Sequence, residues 1–238
     1  MTRLLLAFAA LVAAATPAAA AERRYSVTDF DRIEVEGPFI VRLTMGRSSS
    51  AVANGSQASL DRATVDVTGT TLRIRRNRAN WTGNAGAQTA PLTVDVVTRT
   101  LRSAWLIGPA SLEIQNVEGL RVNLTVEGSG RLRASNVTAD NLSIGLAGSG
   151  RLELSGTAET LTADIQGTGD VDAAQLRAEN ATITTTTSGT FALEVGREAN
   201  VTALGLGTVE IVGRPACNIR GPNSDLVRCG EGPSLDQR

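Results

Sequence analysis

Few side chains in this sequence are equipped for chemistry, and the absences are as informative as the residues present. There is no histidine, which removes the commonest general base, most catalytic triads and most zinc sites. Serine and threonine are abundant, but they fall at turns and at the outward positions of alternating runs. The densest set of carboxylates lies in "DIQGTGDVD", where Asp164, Asp170 and Asp172 surround one glycine-rich corner. Stacked carboxylates with an Arg or Lys base, in some cases with Ca2+, are a means of cleaving acidic sugars, so this is a candidate acidic cluster. The same spacing sets Asp170 and Asp172 beside Arg151 and Glu153 of the preceding repeat, where ion pairing accounts for them equally well. The expectation is a non-enzymatic protein with no catalytic residue, no metal and no cofactor.

Two other residue types stand out by their scarcity. Aromatic residues make up 3% of the chain, and the two tryptophans are Trp81 and Trp105. Trp105 falls on the outward phase of an alternating run, where an indole can stack on a sugar ring or a partner's apolar side chain. Trp81 lies in the long loop "NRANWTGNAGAQTAP", and the preferred alternative is that this loop folds down so that Trp81 covers Trp105. The only cysteines, Cys217 and Cys229, are twelve positions apart near the C-terminus. In an exported chain such a pair forms a bridge, and closing a loop of that size is worth about 3 kcal/mol.

The basic residues, 23 against 24 acidic, are all arginine. No concentrated positive surface of the kind nucleic acid requires is apparent. The densest basic run, "RIRRNR" from Arg73 to Arg78, reads as a solvated strand edge rather than an anion site. At the start, Arg3 precedes the apolar run "LLLAFAALVAAA" and then "TPAAAAERR". That is the layout of a secretory signal with cleavage after Ala21, and the run is short for a membrane span. The expectation is an exported protein, periplasmic or at the cell surface, with no membrane span after cleavage.

The elements that position these residues come from a repeat. "GSGRL" occurs at 128–132 and again at 148–152, and the anchor glycines Gly108, Gly128, Gly148 and Gly167 are spaced by 20, 20 and 19. Between them the apolar residues alternate with period two: Val122, Leu124 and Val126; Leu142, Ile144 and Leu146; Leu161, Ala163 and Ile165. Such runs are strands with one buried face, and a 20-residue unit is too short to fold alone. Stacked in register, each strand pairs with the coils above and below. Gly130, Gly150 and Gly169 complete the corners, where positive φ or close backbone approach calls for glycine. The reading is an all-β, single-stranded parallel β-helix of about 20-residue coils, right-handed by the general preference of parallel crossovers. Residues 22–238 are read as one domain: wider irregular coils over 30–107, regular coils over 108–213 and a disulfide-capped end over 214–238. Past the leader no helical spacing is found. Glu113, Arg133, Glu153 and Asp172 hold equivalent outward positions and should form one column.

Taken in order, "FDRIEVEGPFIVRLTMG", "GTTLRIRR", "PLTVDVVTRTLRSAWLIGPASLEI" and the GSG corners resemble the head GIN domain family of putative auto-transporter adhesins, over about Arg24 to Cys217. The resemblance implies a β-helical, exported protein of the bacterial envelope, and it supplies no catalytic residues. Nothing near "GPSLDQR" has the pattern of a membrane barrel, so self-export across the outer membrane is not expected. The function expected is a non-enzymatic envelope module, adhesin-like or structural, whose faces meet an envelope component or a glycan; the alternative is a glycan-binding or polysaccharide-cleaving β-helix. Homo-oligomerisation stays open.

Overall fold

A computed structural model describes residues 21–77 and 92–230. Residues 1–20, which make up most of the expected leader, and Trp81 lie outside the described residues. The chain is almost entirely strand: β1 (Ala21–Tyr25), β2 (Arg32–Glu36), β3 (Phe39–Met45), β4 (Ser50–Gly55), β5 (Ala63–Thr68), β6 (Thr71–Arg76), β7 (Leu92–Thr98), β8 (Ser103–Ile107) and β9 (Ser111–Gln115), then the long strands β10 (Glu118–Gly128), β11 (Arg131–Gly148), β12 (Arg151–Gly167), β13 (Asp170–Thr187) and β14 (Thr190–Ala203), and finally β15 (Thr208–Gly213), β16 (Ala216–Arg220) and β17 (Val227–Cys229). The long strands bend at a second corner and wrap most of one coil each. Consecutive coils pair in parallel at the expected offset: Leu132 meets Leu152, Leu142 meets Leu161, and Leu152 meets Val171.

Alternation does what period two requires. In β11, Leu132, Ala134, Val137, Ala139, Leu142, Ile144 and Leu146 are buried, with exposed or half-exposed residues between them. The buried side chains form one connected cluster from Phe30 to Val227. At about 25 cal/mol per Å2 of apolar area, this continuous filling is the main force stacking the coils.

The first coils depart from the expected succession. β2 pairs in parallel with both β6 and β8, and β3 with both β7 and β9. The β2–β3 coil therefore lies between the β6–β7 coil and the β8–β9 coil, and stacking order is not chain order. Outside β6 and β7 the pairing turns antiparallel. β5 closes β6 as a hairpin through Gly69 (φ +62°), and β4 lines β7 with β1 beyond it. Between β3 and β5 lie the strand β4 and a short helix α1 (Gln57–Asp61) that helical spacing did not announce. α1 starts at Ser56, whose hydroxyl accepts from the Ser59 amide at 3.1 Å. One turn is too short to display a period, so only the cap marks it. These antiparallel strands cover the parallel ladder at that end, which would otherwise offer unpaired backbone groups.

Candidate functional site

At the Gly128–Gly130, Gly148–Gly150 and Gly167–Gly169 corners both glycines lie close to the coil below, and only the first also takes positive φ. The first of each pair takes positive φ: +79° at Gly108, +105° at Gly128, +119° at Gly148 and +103° at Gly167. The second, at Gly130, Gly150 and Gly169, lies against the coil below. A β-carbon on Gly130 would sit 2.8 Å from the Ala110 carbonyl oxygen, one on Gly150 would sit 2.7 Å from that of Gly130, and one on Gly169 would strike that of Gly150. Thr187 occupies the next first-glycine position, in register with Gly167. Its buried hydroxyl accepts from the Gly189 amide at 2.9 Å and so caps the corner in glycine's place. The second corner uses Asn116 (φ +58°) and Asn136 (φ +56°), and the Asn136 side-chain Nδ2 donates to Asn116 Oδ1 at 3.0 Å.

The corners hold the outward residues in columns. Arg133 stands in register between Glu113 and Glu153, and Glu153 is followed by Asp172, as the repeat alignment requires. The column runs further in both directions, from Asp95 and Arg42 before Glu113 to Ala192, Glu210 and Arg228 after Asp172. Ion pairs close at 3.8 Å between Arg42 and Asp95 and at 3.3 Å between Arg133 and Glu153. Arg133 is exposed, whereas Glu113 and Glu153 are half-buried. In the neighbouring column, Ser111, Arg131, Arg151 and Asp170 follow one another. The described part of the "RIRRNR" run lies on β6, which is paired on both sides by β2 and β5 and so is not the strand edge expected. Arg73 meets Glu34 and Arg75 meets Asp66, each at 3.4 Å, and Arg78 lies outside the described residues.

The three carboxylates of the acidic candidate are divided between faces. Asp164 lies on the face of Gly145 and Thr184 and accepts from Gln166 at 3.2 Å. Asp170 and Asp172 lie past the glycine corner on the next face. Asp170 accepts from Arg151 at 3.0 Å and from the amide and hydroxyl of Thr190 at 3.0 and 2.9 Å. The Thr190 bonds, with a smaller contribution from the Arg151 charge, hold its carboxyl below the ordinary value. Asp172 accepts from the Ala174 amide at 3.4 Å. Among the described residues no three His, Cys, Asp or Glu side chains gather as a metal-binding group.

Trp105 is 40% exposed, in register between Glu34 and Thr125, with the low Gly145 one coil further. Whether Trp81 approaches it lies outside the described residues. Sequence reading missed three other exposed apolar side chains. Leu120, 74% exposed, stands in a groove of about 1050 Å3 with Arg32, Arg102 and Arg121, where the short link before β8 meets the wider coil. Leu204 and Leu206, the latter 75% exposed, sit on the glycine corner itself. Their signal was legible as "LGLG" where earlier corners read "EGSG", "AGSG" and "QGTG". Cys217 and Cys229 are bonded, linking β16 to β17 across the last coil.

Among the described residues no helix is long and apolar enough to cross a membrane. No curated protein matches the chain in sequence. The fold is shared with solved structures at low identity. A "putative adhesin" from Bacteroides fragilis superposes with a TM-score of 0.76 at 18% identity, over 85% of this chain and 94% of its own. A "putative adhesin" from Parabacteroides distasonis gives 0.63 at 17%, over 89% and 95%, and a "putative lipid binding protein" from the same organism gives 0.62 at 18%, over 85% and 94%. The sequence model of the family described as "Putative auto-transporter adhesin, head GIN domain" matches residues 29–215, most of the chain, and the protein belongs to that family.

Proposed function

We propose that this chain is an exported, non-enzymatic module of the bacterial cell envelope that works through its outward columns, in the manner of an adhesin. Residues 1–21 act as the leader, and 22–238 act as one unit in the periplasm or at the surface. The observation that carries this reading is the surface lattice: outward side chains repeat from coil to coil, and arginines engage Asp95, Glu153 and Asp170. A rigid ladder of this kind presents many equivalent contact points to a large partner. The bonded cysteine pair agrees with an oxidising compartment, and the family agrees with a surface role. The test is expression of the whole chain in a bacterial host, followed by fractionation, thiol labelling and binding of the purified protein to isolated envelopes. Recovery of oxidised, exported protein that binds envelopes saturably is expected. Retention in the cytoplasm with its leader uncleaved, or binding that does not saturate, would contradict the proposal.

A further inference from the structure

In the columns of Arg133 and Arg131, like charges meet at two places: Glu153 against Asp172, where Arg133 engages Glu153 from the other side, and Arg131 against Arg151. Arg131 and Arg151 are direct register partners on adjacent coils, about 4.8 Å apart. Arg151 has Asp170 on its far side at 3.0 Å. Arg131 has Ser111 on its other side, and among the described residues it makes no ion pair. Two like charges stacked on neighbouring strands disfavour the folded chain unless something offsets them. Here the protein supplies one carboxylate for two guanidinium groups.

The surroundings of Arg131 suit a ligand. The two arginines line a shallow groove of about 360 Å3 with Ser111, Ser129, Ser149 and Asp170. Ser129 and Ser149 are the exposed central residues of the two GSG corners, and among the described residues their hydroxyls bond to nothing within the protein. The row of exposed corner hydroxyls continues through Thr168 and Ser188 on the following coils. A guanidinium fork matches a carboxylate in bidentate geometry, and the hydroxyls can give and accept hydrogen bonds with sugar hydroxyls.

We propose that this corner groove is a binding site for an acidic polysaccharide that carries uronate carboxylates among neutral sugars. Arg131 takes the carboxylate with Arg151 beside it, and the corner hydroxyls take the adjoining sugar. The openness of the groove favours a chain lying across it over an enclosed small molecule. Asp170 sets the charge density: its carboxylate at the end of the groove repels a polymer bearing an anion on every unit. The inference rests on the reading of the protein as a surface module, and names its partner class.

The test uses the purified mature protein, with affinity for hyaluronate measured beside neutral dextran and densely charged dextran sulfate. Hyaluronate is expected to bind, to weaken as salt rises, and to exceed both controls. Arg131→Ala should weaken it at least about tenfold, the loss of a charge-assisted pair, and Arg131→Lys should lose part of the affinity while keeping the charge. Arg133→Ala removes an equal charge already engaged by Glu153, and should change affinity less than about threefold. Melting of each variant with the wild type confirms that the exposed substitutions leave the fold intact. Absence of hyaluronate binding, equal affinity in Arg131→Ala and wild type, or tighter binding of dextran sulfate would each overturn the site. Saturable binding to envelopes by a protein that ignores hyaluronate would sink this inference and leave the module intact.

Discussion

At the scale of single residues, the corner glycines separate two costs that are usually confounded. Gly108 has positive φ, but a β-carbon there meets nothing within 4 Å. Gly148 has positive φ, and a β-carbon would lie 2.6 Å from the Gly128 carbonyl oxygen. Gly108→Ala should therefore cost only the dihedral strain, about 1 kcal/mol, and Gly148→Ala clearly more, about 2–4 kcal/mol. Thermal melting of the two variants checks the order, and equal losses would show that contact with the coil below is unimportant. Asp170 gives a second residue-scale expectation. Its carboxyl is held below the ordinary 3.8, chiefly by the bonds from Thr190. A lowered carboxyl contributes stability that is fully present above the unfolded value and fades as pH falls through the folded one. Asp170→Asn should therefore melt below the wild type at pH 7, and the gap should close in strong acid. A gap that persists unchanged at pH 2 would place the effect in packing rather than charge.

At the scale of elements, much was legible because a coil is specified locally. Period-two apolar residues between glycines define a strand, and a 20-residue spacing defines its partner one coil away. That logic put Arg133 between Glu113 and Glu153 and joined Arg151 to Asp170. It did not reach the first coils, because alternation shows which face is buried but not which neighbour is paired. β2 and β3 alternate as well as β11 does, yet nothing in "FDRIEVEGPFIVRLTMG" encodes that β6–β7 will pack outside them. Likewise Asp164 is close in sequence to Asp170, and the intervening Gly167–Gly169 corner puts them on different faces. The corner is legible in its glycines, but the bend that parts the carboxylates is a property of the folded backbone. The Arg133–Glu153 pair is exposed on the arginine side, so a double-mutant cycle should give a coupling below about 1 kcal/mol that shrinks in high salt. A coupling of several kcal/mol would mean that such columns hold the coils together rather than tuning their register.

At the scale of the whole molecule, the two ends of the stack are closed differently. Antiparallel β5, β4 and β1 cover one end, and the bridge between Cys217 and Cys229 secures the other. Reduction, or replacement of both cysteines by serine, should cost about 3 kcal/mol, seen as a lower melting temperature, with the last coil loosening first. An unchanged melting temperature would mean that apolar stacking alone holds β16 and β17. Every surface column, the Arg131 groove included, depends on the order in which coils stack, so that order is the claim to test. Residue-resolved amide hydrogen exchange does so directly. With β2–β3 between two other coils, their amides should exchange as slowly as those of β11 and β12, while the outer strands β1 and β5 exchange faster. Rapid, edge-like exchange along β2 and β3 would contradict the stacking and the columns built on it.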